Sequence, residues 1–76
     1  MSFALTRLGC PCLVAVACAD FSESSLYMVS NWGGTIRVCL MSGTDNSTFS
    51  LDASTNTITI TTSIQNPHIS VIGATP

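Results

Sequence analysis

Thr48-Phe49-Ser50-Leu51-Asp52-Ala53, then Ser54-Thr55-Asn56, then Thr57-Ile58-Thr59-Ile60-Thr61-Thr62-Ser63-Ile64: the fold is decided by this stretch. Phe49, Leu51 and Ala53 alternate with Thr48, Ser50 and Asp52. Ile58, Ile60 and Ile64 alternate with Thr57, Thr59, Thr61 and Ser63. A period of two places one set on each face of a pleated strand. The polar break at Ser54-Thr55-Asn56 makes the pair a β-hairpin. Matching the apolar faces sets Leu51 opposite Ile60 and Ala53 opposite Ile58, across a loop of two or four residues.

Outward from the hairpin, turn chemistry recurs about every ten residues, the spacing of an all-β sandwich or barrel. Phe3 to Leu8 reads as a first strand, broken by Gly9-Cys10-Pro11. Cys12 to Ala19 is the second, with Cys12, Val14, Val16 and Cys18 on one face and Leu13, Ala15, Ala17 and Ala19 on the other. Apolar residues on both faces predict burial on both. Asp20 to Ser25 is a polar loop whose Asp20–Glu23 spacing suits the cap of one helical turn. Leu26 to Ser30 is the third strand, Asn31-Trp32-Gly33-Gly34 a turn, and Thr35 to Met41 the fourth, with Ile36, Val38 and Leu40 facing one way. Ser42 to Ser47 is a turn, Gln65-Asn66-Pro67 ends the hairpin, and His68 to Gly73 makes a seventh strand. The expected architecture is a single all-β domain over residues 1–76. It is a small sandwich or partly open barrel of six to seven short, mainly antiparallel strands.

Composition narrows the function. A chain of 76 residues and 7.9 kDa buries only about 60% of its unfolded surface. It is too short for a dinucleotide-binding or (β/α)8 catalytic architecture. Charged residues make up 8%, against about 25% in an ordinary soluble domain. They are Arg7, Asp20, Glu23, Arg37, Asp45 and Asp52, with no lysine. Hydrophobic residues reach 46% and mean hydropathy is +0.49. The polar surface must come from 11 serines and 10 threonines. Such a chain is not disordered, and a net charge of −2 makes no electrostatic footprint for nucleic acid.

Arg7, the apolar run Leu8 to Ala19 and Ala17-Cys18-Ala19 imitate a signal peptide with its cleavage site. Gly9 and Pro11 interrupt that run, and from Pro11 onward it is too short for a membrane-spanning helix. With Met1 ahead of it, the segment is expected to stay in the fold as a buried strand. Cys10, Cys12, Cys18 and Cys39 are then expected as reduced, mostly buried thiols. One C-x-C and two single cysteines do not make the paired spacing of a zinc site.

No residue set carries an obvious chemistry. His68, the single histidine, stands after a proline at a strand start and has no partner at a nucleophile-dyad spacing. Asp20, Glu23, Asp45 and Asp52 match no calcium loop and no acid/base pair. Asn46-Ser47-Thr48 fits a glycosylation sequon. Phe49-Ser50-Leu51-Asp52, with Thr55 and Ile58, resembles the F-x-L-D-x-x-T-x-x-I strand pair of cadherin repeats over about ten residues. That family's calcium motifs are absent, and the demands of a stable hairpin account for the pattern. No catalytic residue, cofactor or metal is expected.

Trp32, beside two glycines, serves either as a plug for the sandwich end or as an interface anchor. Lysine-free, nearly uncharged edge strands would stick edge to edge in a free monomer. The expectation is therefore a subunit of a larger assembly, with Trp32, Phe3 and Leu5 as interface anchors and no membrane or nucleic-acid contact. In size, hairpin style and uncharged Ser/Thr surface, the chain resembles small all-β bacteriophage virion proteins of the head decoration or cement type. That resemblance implies a structural protein of the virion, assembled in the host cytoplasm and bound to larger shell proteins. The alternative is a secreted, disulfide-bonded sandwich that binds a carbohydrate or protein through Trp32.

Overall fold

The computed structural model describes residues 1–5 and 10–73. Thr6, Arg7 and Leu8 of the expected first strand lie outside the described residues. Seven strands are present: β1 Ser2–Ala4, β2 Cys12–Ala17, β3 Ser24–Trp32, β4 Thr35–Gly43, β5 Ser47–Asp52, β6 Thr57–Thr62 and β7 His68–Ile72. They form two sheets, one ordered β1-β6-β5 and the other β4-β3-β2-β7. Every pairing is antiparallel. The molecule is thus the expected all-β sandwich, in its open rather than barrel form.

The alternation in sequence becomes the alternation of faces. Cys12, Val14 and Val16 of β2, Tyr27 and Val29 of β3, and Ile58 and Ile60 of β6 are buried together with Leu5 and Ile64. Phe3, Ile36, Phe49, Leu51, Ile69 and Val71 pack around them. Each fully buried aliphatic side chain contributes about 1.5–3 kcal/mol. On β2 the expectation of burial on both faces holds for Ala17 and is otherwise corrected. Leu13 and Ala15 are only half-buried, because among the described residues no third layer covers that side of the four-stranded sheet.

The hairpin forms with the expected faces inward, but its register is corrected by two residues. Leu51 pairs with Ile58, and Phe49 pairs with Ile60. The last pair is Asp52 with Thr57, which leaves a four-residue loop, Ala53 to Asn56. Asp52 fixes this choice. Its Oδ1 accepts hydrogen bonds from the Ser54 amide at 3.1 Å and the Ser54 hydroxyl at 2.7 Å, and its carbonyl accepts the Thr55 amide at 3.3 Å. Asn56 then takes a φ of 53°, a left-handed geometry that Asn tolerates.

Between β3 and β4 the turn is shorter than expected. Trp32 pairs with Thr35, so only Gly33 and Gly34 span the turn, at φ 63° and 82°. Two consecutive positive φ values are what a type I′ turn requires, and the twist of that turn matches a hairpin. Asn31 and Trp32 therefore belong to the strand. The helical turn suggested at Asp20–Glu23 is absent as well. Asp20 Oδ1 accepts the Ser22 amide at 3.0 Å, an Asx turn, and Phe21 at φ 59° is incompatible with a helix.

Candidate interaction surface

Three strands face four, and the mismatch falls on β4. Val38 pairs with buried Val29 and Leu40 with buried Tyr27, so both side chains lie on the inner face of their sheet. Yet they are 43% and 39% exposed. Ile36, nearer the Gly33–Gly34 turn, still packs on the core. The result is a groove of about 340 Å³ along one flank, lined by Tyr27, Val38, Leu40 and Phe49 with Asp45, Ser47 and Thr48 at the rim. The strands bordering it, β4 and β5, are each the edge of a sheet. Each therefore carries a row of backbone N–H and C=O groups with no strand partner among the described residues.

Tyr27 forms the inner wall of this groove and anchors the crossover between the sheets. Its ring meets Phe49 edge-on, with centroids 4.9 Å apart. Its hydroxyl accepts the amides of Asn46 at 3.0 Å and Ser47 at 3.1 Å, and donates to Asp45 Oδ1 at 3.1 Å. Asn46 is equally committed. Its Oδ1 accepts the hydroxyls of Ser25 at 2.8 Å and Ser47 at 3.0 Å. Its carbonyl accepts the Ser63 amide at 3.0 Å and the Thr62 hydroxyl at 3.1 Å. The sequon asparagine thus has a structural role that holds the two sheets together.

The expected anchors divide. Trp32 is 68% exposed at the end of β3, so the plug alternative does not apply and the ring is free to bind. Phe3 is half-buried and packs against the core opposite Ile58. Leu5 is corrected: it is fully buried, its amide bonded to the Asn56 carbonyl at 2.9 Å. It is a core residue without a surface to offer.

The residues with chemical potential are dispersed. Among the described residues no three of His, Cys, Asp and Glu gather where a metal could bind. All four cysteines are free. Cys12 is buried, Cys10 and Cys18 are intermediate, and Cys39 is exposed, so the expectation of mostly buried thiols holds fully only for Cys12. Burial pushes the Cys12 thiol pKa up. Cys18 Sγ donates to Asp20 Oδ1 at 3.0 Å. That bond, with those from the Ser22 amide and hydroxyl, holds the Asp20 carboxyl at about 2. His68 is exposed and lies opposite Ala17.

Sequence reading missed two polar residues that organise the site, Tyr27 and Asn31. Buried Asn31 donates through Nδ2 to the Leu5 carbonyl at 3.2 Å and to Asn56 Oδ1 at 3.0 Å, which ties the two sheets at the hairpin end. The available signal was their place in the alternation: Tyr27, Val29 and Asn31 share the inward face of one strand. Comparison with protein-family models, with curated proteins and with solved structures finds no match to this chain.

Proposed function

We propose that the chain is a non-enzymatic structural subunit that works by being built into a larger assembly. One observation carries the reading: among the described residues the sandwich has three strands facing four, and the inner face of β4 is left uncovered. A strand supplied by a neighbour and added to the free edge of β5 would lie over β4. It would cover Val38 and Leu40 and satisfy a row of backbone groups at the same time. The exposed Trp32 and the scarcity of charge support the same reading, because interface cores are depleted in charge and enriched in aromatic residues. On the resemblance to decoration and cement proteins, the assembly is a virion shell whose larger proteins this subunit bridges and stabilises.

The test is co-sedimentation of the purified chain with its native particle. Retention on the particle in high salt is expected, since apolar and backbone contacts are little screened. Substituting Leu40 by Lys places a charge under the missing strand and should release the chain. A chain that stays in the supernatant with every shell tested would overturn the proposal.

A further inference from the structure

The two outer faces of the sandwich are unlike. On the three-stranded sheet, Ser2, Thr59 and Ser50 stand level across the strands, with Thr48 and Thr61 on the next level. That face is mostly hydroxyl, with Ala4 and Asp52 level with Thr57 at one end. On the four-stranded sheet the level of Met28, at the middle of β3 and β4 and at one end of β2 and β7, reads Cys39, Met28, Leu13 and Ile72 from edge to edge. Met28 and Ile72 are 36% and 63% exposed. An unbroken apolar row over a whole sheet, facing outward, is an interaction surface.

We propose that this face binds a second copy of the same chain, face to face, with strand directions reversed. The assignment deepens the assembly reading and rests on it: the subunit would enter the assembly as a pair. Charge indicates the occupant. Arg37, the only lysine or arginine among the described residues, pairs with Ser30 toward the Trp32 end of the face. Asp20 and Glu23 lie in the exposed loop at the other end, just ahead of Ser24. A two-fold axis lying in the face and crossing the strands keeps the apolar row on itself, because Met28 is the midpoint of β3. The same axis turns each Arg37 toward the acidic end of the other copy. A two-fold axis along the strands would instead leave Arg37 of both copies at one end and the acidic loops of both at the other.

Area agrees with a modest dimer. Strands of nine, nine, six and five residues, about 4.8 Å apart, give a face of roughly 470 Å², hence at most about 950 Å² for the pair, the size of a weak interface. Phe21, 75% exposed with a left-handed backbone, stands beside Ala15 and Ala17 at the acidic end and adds to it. The free edge of β5 belongs to the other sheet, so pairing through this face and strand addition can coexist.

The experiment is sedimentation equilibrium of the full chain at micromolar concentrations, with circular dichroism to confirm folding. The wild type should be a dimer. Met28→Lys, an exposed substitution that leaves the core untouched, should stay folded and weaken dimerisation at least about a hundredfold, since two charges would meet on the axis. Arg37→Glu should weaken it about tenfold, because symmetry counts the lost pair twice. The double variant Glu23→Arg/Arg37→Glu should recover most of that loss. Thr59→Lys on the hydroxyl face should change nothing. A monomeric wild type, or a dimer indifferent to Met28→Lys, overturns the face-to-face pairing. Neither outcome affects retention on the particle, by which the assembly reading stands or falls separately.

Discussion

The Tyr27 hydroxyl lies 3.0 Å from the amide nitrogen of Asn46 and so links the middle of β3 to the chain crossing from one sheet to the other. One oxygen atom serves two amides and a carboxylate there. Tyr27→Phe keeps the ring contact with Phe49 and removes only that oxygen. The part-buried amides of Asn46 and Ser47 lose their acceptor, at a cost of about 1–3 kcal/mol. In a chain of this length that is a fall of order 10 °C in Tm, to be read by thermal melting.

Hairpin polarity gives a second expectation. Ile60 is buried opposite Phe49, whereas Thr59 points outward between Ser2 and Ser50. Ile60→Asp would bury a carboxylate without a partner and should destabilise by several kcal/mol or abolish folding. Thr59→Asp should cost less than about 1 kcal/mol. Chemical denaturation of the two variants decides it, and equal tolerance would mean the inward face is misassigned.

These two residues also show how far the sequence could be read. The alternation around Ile58 and Ile60 specifies which face is buried, because a one-residue slip would expose the whole isoleucine row. It does not specify a slip of two, which keeps every side chain on its own face. That choice was made by the Asp52–Ser54 bonds and the left-handed Asn56, local chemistry that apolar matching ignores. At the candidate site, the two-glycine turn drew attention to Trp32 but left plug and anchor open, because a ring beside a turn can fold either way. Leu5 was not legible, because an alternating segment near a chain end looks the same whether it docks on a neighbour or on its own core. The groove was invisible for another reason: it arises from strand counts in two sheets, a property of topology.

Thiol chemistry should follow burial. In the native chain a disulfide-exchange reagent should modify exposed Cys39 first and buried Cys12 last, since Cys12 is both shielded and shifted away from its thiolate form. Denaturation should release four free thiols. Fewer would favour the secreted, disulfide-bonded alternative.

The loop at Phe21 should respond to acid. The Asp20 carboxyl is lowered to about 2 from its ordinary 3.8, first by the Cys18 thiol and then by the Ser22 amide and hydroxyl. A depressed folded pKa means that the ionised carboxylate stabilises the loop above its unfolded value. That contribution is lost as pH falls from 3.8 through about 2. Amide chemical shifts of Phe21 and Ser22 should titrate in that window. Cys18→Ala should move the midpoint up toward the ordinary carboxylate value.

Gly43 closes β4 at φ 87°, and a Cβ there would collide with the Ser24 carbonyl. Gly43→Ala should therefore destabilise by at least about 2 kcal/mol, through strain and backbone displacement together. Urea denaturation measures it.

The uncovered inner face of β4 would have a further consequence under the proposed assembly, for turnover in the cell. On the proposed assembly, Val38 and Leu40 would contribute their full burial energy only once a neighbour covered them, so the last part of this chain's stability would arrive with its incorporation. Until then β4 is an edge strand whose inner face is also uncovered, and it should exchange its amide protons fast and offer proteases an early cut. Incorporated copies would be long-lived and surplus copies short-lived, which would match the amount of this subunit to the number of places waiting for it without any separate regulator.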